Sequence, residues 1–465
     1  MKLRFNRFIT QIIACLLLVI ALESTAAIEP AKQPNFIVIL GEGAGWTSTS
    51  VQMDERNPAS KSSAIKTPNF ERLAASGMRF ANGYAASPRC TPSRAALFTG
   101  KSPAALHMTF VGMGRPGGAV TTKLIPPNAL LELPESEITI GEFLKRSGYA
   151  TAHFGKWHVG RVSPSRHGFD ESDGPTNNGG PENVAAPNPK QALAMTTNGI
   201  DFMKRQVKAG RPFYLQMSHY PNQEEKGGGG GDRKLRTKAA REETMTLDKT
   251  IGQILDAIEG LGLKGNTYII YTTDHGTQGR NAPLTGGKGM VWEGGLRVPF
   301  LVAGPGIKAG GSSHVRVSAT DLFPTFAELA GVKESLPKNV EGGSFAPLFK
   351  TAGAGTVKRL REEFVVHFPH YDMEAHGPAS AIYLSDFKLI RIYETGALKL
   401  FNVTKDFGEQ NDLASEMPDK VKELNQRLAG YLAAVNAQMP KPNPNFDPTK
   451  SSETKRGGPR KIGRE

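Results

Sequence analysis

Cys90 sits in Ser87-Pro88-Arg89-Cys90-Thr91-Pro92-Ser93-Arg94 and is one of 2 cysteines in 465 residues. The other, Cys15, falls in an apolar stretch near the start that reads as a segment removed on export. An exported chain left with one cysteine forms no internal disulfide, so the thiol has another use. A small buried hydrophobe is one reading. Pro88 and Pro92 favour another, a reactive side chain on a turn that opens a helix, where backbone amides stabilise negative charge. That setting suits a nucleophile that splits one hard step into two. Arg94 lies four residues on, one helical turn away, and can point back at residue 90. Glu42 and the pair Asp274-His275 are candidate ligands for a hard divalent cation.

The elements that must position these residues are legible as alternating strands and helices. Residues 35–40 form a continuous apolar run ending at Gly41, as expected of a strand buried on both faces. A helix is expected over 68–75, with Thr67 at its N-cap and Gly77 as terminator. Further short strands are expected at 149–154, 213–217 and 267–272. Between them, Ile251, Ile254, Leu255, Ile258 and Leu261 recur at helical spacing until Gly262. This pattern predicts an α/β fold with a large mainly parallel or mixed sheet flanked by helices. Ligands in such folds gather beyond the carboxyl ends of the strands, where Glu42, Asp274 and His275 fall. His153 lies inside an apolar strand and is expected to be a core histidine. After residue 347 four short apolar runs predict a smaller antiparallel sheet, with a helix over 418–434 packed on it. The glycine run 227–231 is expected to be a mobile loop.

The run from Thr67-Pro68-Asn69-Phe70 through Cys90-Thr91-Pro92-Ser93-Arg94-Ala95-Ala96-Leu97-Phe98-Thr99-Gly100 resembles the signature of the type I sulfatases, within the alkaline-phosphatase-like superfamily. The resemblance continues at Gly155-Lys156-Trp157-His158, Thr273-Asp274-His275-Gly276, Gly286-Gly287-Lys288-Gly289 and Trp292-Glu293-Gly294-Gly295-Leu296-Arg297. It implies that Cys90 is oxidised by a formylglycine-generating enzyme to formylglycine, whose hydrate is the nucleophile. It further implies that Arg94 steadies that residue, that Lys156 and Lys288 contact sulfate oxygens, and that His158 is a base. Glu42, residue 90, Asp274 and His275 would bind Ca2+, with Mg2+ as the alternative.

Two departures stand out. Where the family presents two adjacent aspartates after the first strand, this chain has Glu42-Gly43. Where it presents a histidine that protonates the leaving alcohol, this chain has Gln223, which cannot act as a general acid at neutral pH. His219 is the nearest substitute, and His367 or His370 could reach in from the C-terminal part.

Composition bounds the setting. Lys2, Arg4 and Arg7 precede an apolar run too short for a membrane span, and Ser24-Thr25-Ala26-Ala27 offers a cleavage site. The expected organisation is a signal peptide at 1–27, a catalytic domain at 34–346, a C-terminal subdomain at 347–438 and an extended basic tail at 439–465. The mature protein is expected in the periplasm or outside the cell, without a stable membrane anchor. The net charge of +13 suits a polyanionic partner. No nucleic-acid motif accompanies it, and a sulfated carbohydrate fits better than nucleic acid. A merely solubilising charge is the bland alternative. The leading function is therefore a sulfatase acting on sulfated carbohydrate. Alternatives are a formylglycine-dependent phosphodiesterase or phosphonate monoesterase, and a catalytically degenerate protein that binds sulfated glycan.

Overall fold

The computed structural model describes residues 33–112, 120–177, 192–220, 233–278, 281–372 and 377–450. The leading apolar segment, the glycine run, Gln223 and the basic residues beyond 450 lie outside them.

The main sheet has eight strands in a mixed arrangement. At its centre Asn35–Gly41 pairs in parallel with Phe213–Ser218 on one side and Thr267–Thr273 on the other. Ala150–Gly155 continues the parallel set beyond Phe213–Ser218. Phe300–Ala303 runs antiparallel to Thr267–Thr273 and turns the sheet mixed. All seven residues of the central strand are buried, as its unbroken apolar run requires.

Separate apolar layers cover the two faces. Phe36, Val38 and Leu40 face one with Phe98, Phe143, Phe323 and Phe326; Ile37 and Ile39 face the other with Phe70, Phe202, Ile251 and Ile254. This follows the alternation of side chains along a strand. The helix Pro68–Ser76 begins after Thr67, but the Thr67 hydroxyl accepts from the Ser50 backbone instead of capping the helix. Asp248 supplies the cap, accepting from the N–H groups of Asn69 and Phe70 at 2.9 Å each. Asp248 belongs to the helix Arg233–Gly260, which starts well before the apolar periodicity that marks it in the sequence.

Beyond the main sheet, strands Phe364–Phe368, Ala379–Leu384, Phe387–Ile392 and Leu398–Asn402 form an antiparallel meander. The helix Pro418–Ala434 packs on it through Leu424, Leu428, Tyr431 and Leu432. The following segment is a strap, since Lys441–Pro442 pairs with Leu124–Ile125. Among the described residues, no helix is long and apolar enough to cross a membrane.

Candidate active site

Cys90 is the first residue of the helix Cys90–Thr99, all of whose residues are buried. The turn before it is locked by Ser93, whose hydroxyl donates to the Ser87 carbonyl at 2.8 Å and accepts from the Ser87 N–H at 3.0 Å. Thr91 donates to the His158 carbonyl at 2.8 Å, tying the helix start to a second loop. Sequence reasoning passed over these two hydroxyls. Their place between Cys90 and Arg94 was the only signal for them.

The central strand delivers Glu42 beside the thiol, with Oε1 3.2 Å from Cys90 Sγ. Its other oxygen accepts from Lys156 Nζ at 2.7 Å and from Arg94 Nη2 at 3.0 Å. Lys156 leaves its strand through Gly155, at φ +94°, where an added Cβ would lie 1.9 Å from the Ser218 carbonyl oxygen. Only glycine permits that exit.

Thr267–Thr273 delivers Asp274 and His275. Arg94 Nε donates to Asp274 Oδ2 at 3.0 Å, while Asp274 Oδ1 accepts from the Gly43 N–H at 3.0 Å. Arg94 spends its third arm on the Lys156 carbonyl at 2.6 Å. His275 Nδ1 donates to the Gly276 carbonyl, which turns Nε2 toward Cys90 Sγ at 3.1 Å. Lys288 closes the ring, its Nζ 3.5 Å from Glu42 Oε1. Its loop is held by bonds from Lys288 N to Thr277 O and from Gly289 N to Pro88 O, at 3.0 and 2.9 Å. His158 stands at φ +55° with the Cys90 side chain as a hydrogen-bonding partner.

Fixed cations dominate this pocket. Burial and Glu42 both push the Cys90 thiol up, yet Lys156, His275 and Lys288 together hold it well below the usual range. A position that stabilises a thiolate also stabilises other anions. Burial raises Glu42 as well, and Lys156, His275, Lys288 and Arg94 outweigh it. Asp274 is pushed up to about 6, by burial and then by Glu42. Burial opposes the His275 imidazolium, but Asp274 raises it to about 9. Burial keeps His158 below its ordinary value and therefore neutral near pH 7.

Because Arg94 takes Glu42 Oε2 and Asp274 Oδ2, the remaining carboxylate oxygens face the same spot as Cys90 Sγ and His275 Nε2. One donor atom from each of these four residues lies within 4.8 Å of the others. Two carboxylate oxygens and an imidazole suit a divalent cation. Gly43 adds no carboxylate, and at φ +58° a Cβ there would meet His275 Cε1 at 3.0 Å.

The structure thus brings together Glu42, Cys90, Arg94, Lys156, His158, Asp274, His275 and Lys288. His219 follows the strand Phe213–Ser218 on the same rim, its N–H donating to the Leu40 carbonyl at 2.8 Å. His153 is the expected core histidine, enclosed by Phe98, Trp157 and Phe169 and lowered by burial to about 3. His367 and His370, the other two candidates, lie in the C-terminal part. Both are buried and lowered to about 4 and 3, and His367 is already engaged by Ser380 Oγ and the Gln438 carbonyl.

A second buried charge cluster braces the Lys288 loop from behind. Glu293 accepts from Arg297 Nε at 2.7 Å, from Tyr84 and Tyr383 hydroxyls at 2.8 Å each, and from Lys388 Nζ at 3.1 Å. Lys388 also donates to Glu409 at 2.6 Å, and Glu409 accepts from the Glu293 N–H at 2.8 Å. Sequence reasoning did not single out this cluster. Its signal was a lysine inside the apolar run Phe387-Lys388-Leu389-Ile390.

At the carboxyl edge of its mixed sheet the protein carries a buried thiol rimmed by cations, an arrangement suited to an anionic group. The sulfatase family model matches residues 34–332, and the model for the C-terminal part of N-sulphoglucosamine sulphohydrolase matches 287–438. N-acetylgalactosamine-6-sulfatase of Sus scrofa is 31% identical over 375 residues, covering 71% of this chain and 69% of that protein. Human arylsulfatase A is 30% identical, covering 77% and 74%. A sulfatase of Formosa agariphila is 27% identical, covering 87% and 90%. The fold is shared with Ps i-CgsB in complex with k-i-k-neocarrahexaose, at TM-score 0.70 and 23% identity over 92% of this chain and 98% of that one. The chain belongs to the sulfatase family, and it is a sulfuric ester hydrolase.

Proposed function

We propose that the protein is an exported sulfatase that removes sulfate from sulfated carbohydrates, using formylglycine at residue 90 and a divalent cation. The observation that carries this reading is the convergence of Glu42, Cys90, Asp274 and His275 under the cations of Arg94, Lys156 and Lys288. Carbohydrate is favoured because the named relatives include a sulfatase of N-acetylgalactosamine and because the chain is strongly basic.

Converted to formylglycine by a formylglycine-generating enzyme, residue 90 would supply as its hydrate one hydroxyl to displace the alcohol from sulfur and a second whose deprotonation would break the C–O bond to sulfate, leaving an aldehyde for water to rehydrate. Ca2+, or Mg2+ in its place, supplies positive charge that orients and polarises the sulfate; Glu42, Asp274, His275 and the residue-90 oxygen would hold it. Lys156 and Lys288 neutralise charge on the sulfuryl oxygens, a contribution that is usually the largest in such reactions. Arg94 fixes Glu42 and Asp274 in register with the helix that presents residue 90. His158, neutral and beside residue 90, takes the proton of the second hydroxyl. His219 gives a proton to the leaving alcohol in place of the residue that Gln223 displaces.

The test is competition between ester classes. The account expects the mature protein to cleave sulfated saccharides with a kcat/KM well above that for phosphodiesters and phosphonate monoesters. A preference for phosphorus esters would assign the sister activity, and glycan retention without sulfate release would make it a binding protein.

A further inference from the structure

Arg89 and Asp372 form an ion pair that the sulfate chemistry does not use. Arg89 Nε and Nη2 donate to the two oxygens of Asp372, a bidentate contact between the residue preceding Cys90 and the chain following the strand Phe364–Phe368. Both side chains are largely but not wholly buried, at 18% and 11% exposure, so their outer edges are reachable. Arg89 immediately precedes Cys90, and the Gly289 N–H donates to the Pro88 carbonyl at 2.9 Å, which sets the pair beside both the turn that presents residue 90 and the loop that carries Lys288.

The pair is not needed to hold the Asp372 segment down. Thr109 Oγ1 bonds His370 Nε2 at 2.8 Å, the Phe110 ring lies 4.7 Å from the His370 ring, and Tyr371 accepts from the Leu124 N–H at 3.0 Å. Neutralised by Asp372, Arg89 is also poorly suited to add a further full charge to the sulfate site. What the pair offers instead is mixed polarity on one rigid edge. A bidentate guanidinium keeps three of its five N–H donors, and each carboxylate oxygen keeps a free lone pair. Adjacent hydroxyls of a sugar, each both donor and acceptor, match that edge; an aryl ring does not.

We propose that Arg89 and Asp372 form a specificity-determining site that reads hydroxyl groups on the sugar residue carrying the scissile sulfate. This rests on the carbohydrate reading above and names the neutral, hydroxyl-bearing part of that substrate. Loss of a hydrogen-bonded hydroxyl from a site built for it costs far more than loss of apolar contact.

The experiment compares Asp372→Asn and Arg89→Lys with the unaltered protein, each checked by mass for conversion of residue 90. Substrates are a panel of sulfated monosaccharides, their deoxy analogues lacking a hydroxyl next to the sulfated carbon, and 4-nitrophenyl sulfate. The expected result is a fall of about tenfold or more in the ratio of kcat/KM for sugar sulfate over aryl sulfate. The variants should also lose discrimination between the parent sugar and its deoxy analogue, which a general loosening of the fold would not produce. An unchanged ratio with discrimination intact, in whichever variant folds, overturns the proposal. An unaltered protein that cleaves aryl sulfate but no sulfated sugar would instead overturn the carbohydrate reading itself.

Discussion

Arg94 Nε lies 3.0 Å from Asp274 Oδ2, and both side chains have no exposure to solvent. One residue stands four positions after Cys90 on a helix, the other at the end of a strand 180 positions further on. A guanidinium in that place does three things at once. It compensates two buried carboxylates, turns their other oxygens toward residue 90, and pins the Lys156 loop through that residue's carbonyl. A charge buried without its partner is strongly unfavourable, so the three partners depend on one another.

Arg94→Lys is therefore not conservative. An ammonium cannot span Glu42, Asp274 and the Lys156 carbonyl in one plane. The variant should lose about 3–5 kcal/mol of stability, the usual cost of breaking a buried pair. Its sulfatase activity should fall by orders of magnitude. Denaturant unfolding and sulfate release measure the two, and near-native values for both would refute this role.

Lys388 joins the C-terminal sheet to the loop carrying Lys288. Lys388→Met leaves buried Glu293 with Arg297 and takes from buried Glu409 the cation it faces, and a loss of about 3–5 kcal/mol is expected. Burial already raises Glu409 to about 7, so its carboxylate readily accepts a neutral form. Lys388→Met with Glu409→Gln should recover most of that loss. If the double variant melts no higher than the single one, the two groups are not coupled as the geometry indicates.

The stability contributed by the buried histidines should fall as pH drops below about 6.5. His367 is lowered to about 4 by burial, so between those values the unfolded chain binds a proton that the folded chain refuses. Its contribution is fully present above 6.5 and reaches a loss of roughly 3 kcal/mol by pH 4. His153 and His370, lowered to about 3, act in the same direction. Gln at position 367 can still bond Ser380 and the Gln438 carbonyl without titrating. A Tm profile of His367→Gln should be flatter between pH 6.5 and 4, and an unchanged slope would contradict the assignment.

Calcium should raise Tm in the unaltered protein and fail to do so in Asp274→Asn. At a concentration about 100 times Kd the stabilisation is about 2.7 kcal/mol. Restoring the carboxylate at position 43 should not improve binding. Gly43→Asp would place a side chain at φ +58° with its Cβ 3.0 Å from His275, displacing one ligand to gain another. A larger calcium shift in that variant would show that the site has room which the geometry denies.

Much of the site was legible because its residues lie in short segments with glycine or proline beside them, directly after apolar strands. Glu42, Asp274 and His275 follow from strand ends alone, and Arg94 from one turn of helix. Placing Lys156 and Lys288 at the site needed the family resemblance, since a lysine flanked by glycine says nothing about a partner more than a hundred residues away. The Asp248 cap, the Arg89–Asp372 pair and the Glu293–Lys388–Glu409 cluster were illegible for the same reason. Each joins charges from distant segments, and only the fold makes them neighbours. The burial of His367 and His370 was not legible either, because the sequence does not show how deeply the C-terminal sheet encloses them.

The most direct test is sulfate release from a sulfated saccharide panel by protein co-expressed with a formylglycine-generating enzyme, beside Cys90→Ala. The account predicts release that tracks conversion of residue 90 measured by mass and disappears in Cys90→Ala. Release that persists in Cys90→Ala, or none from fully converted protein, would contradict it.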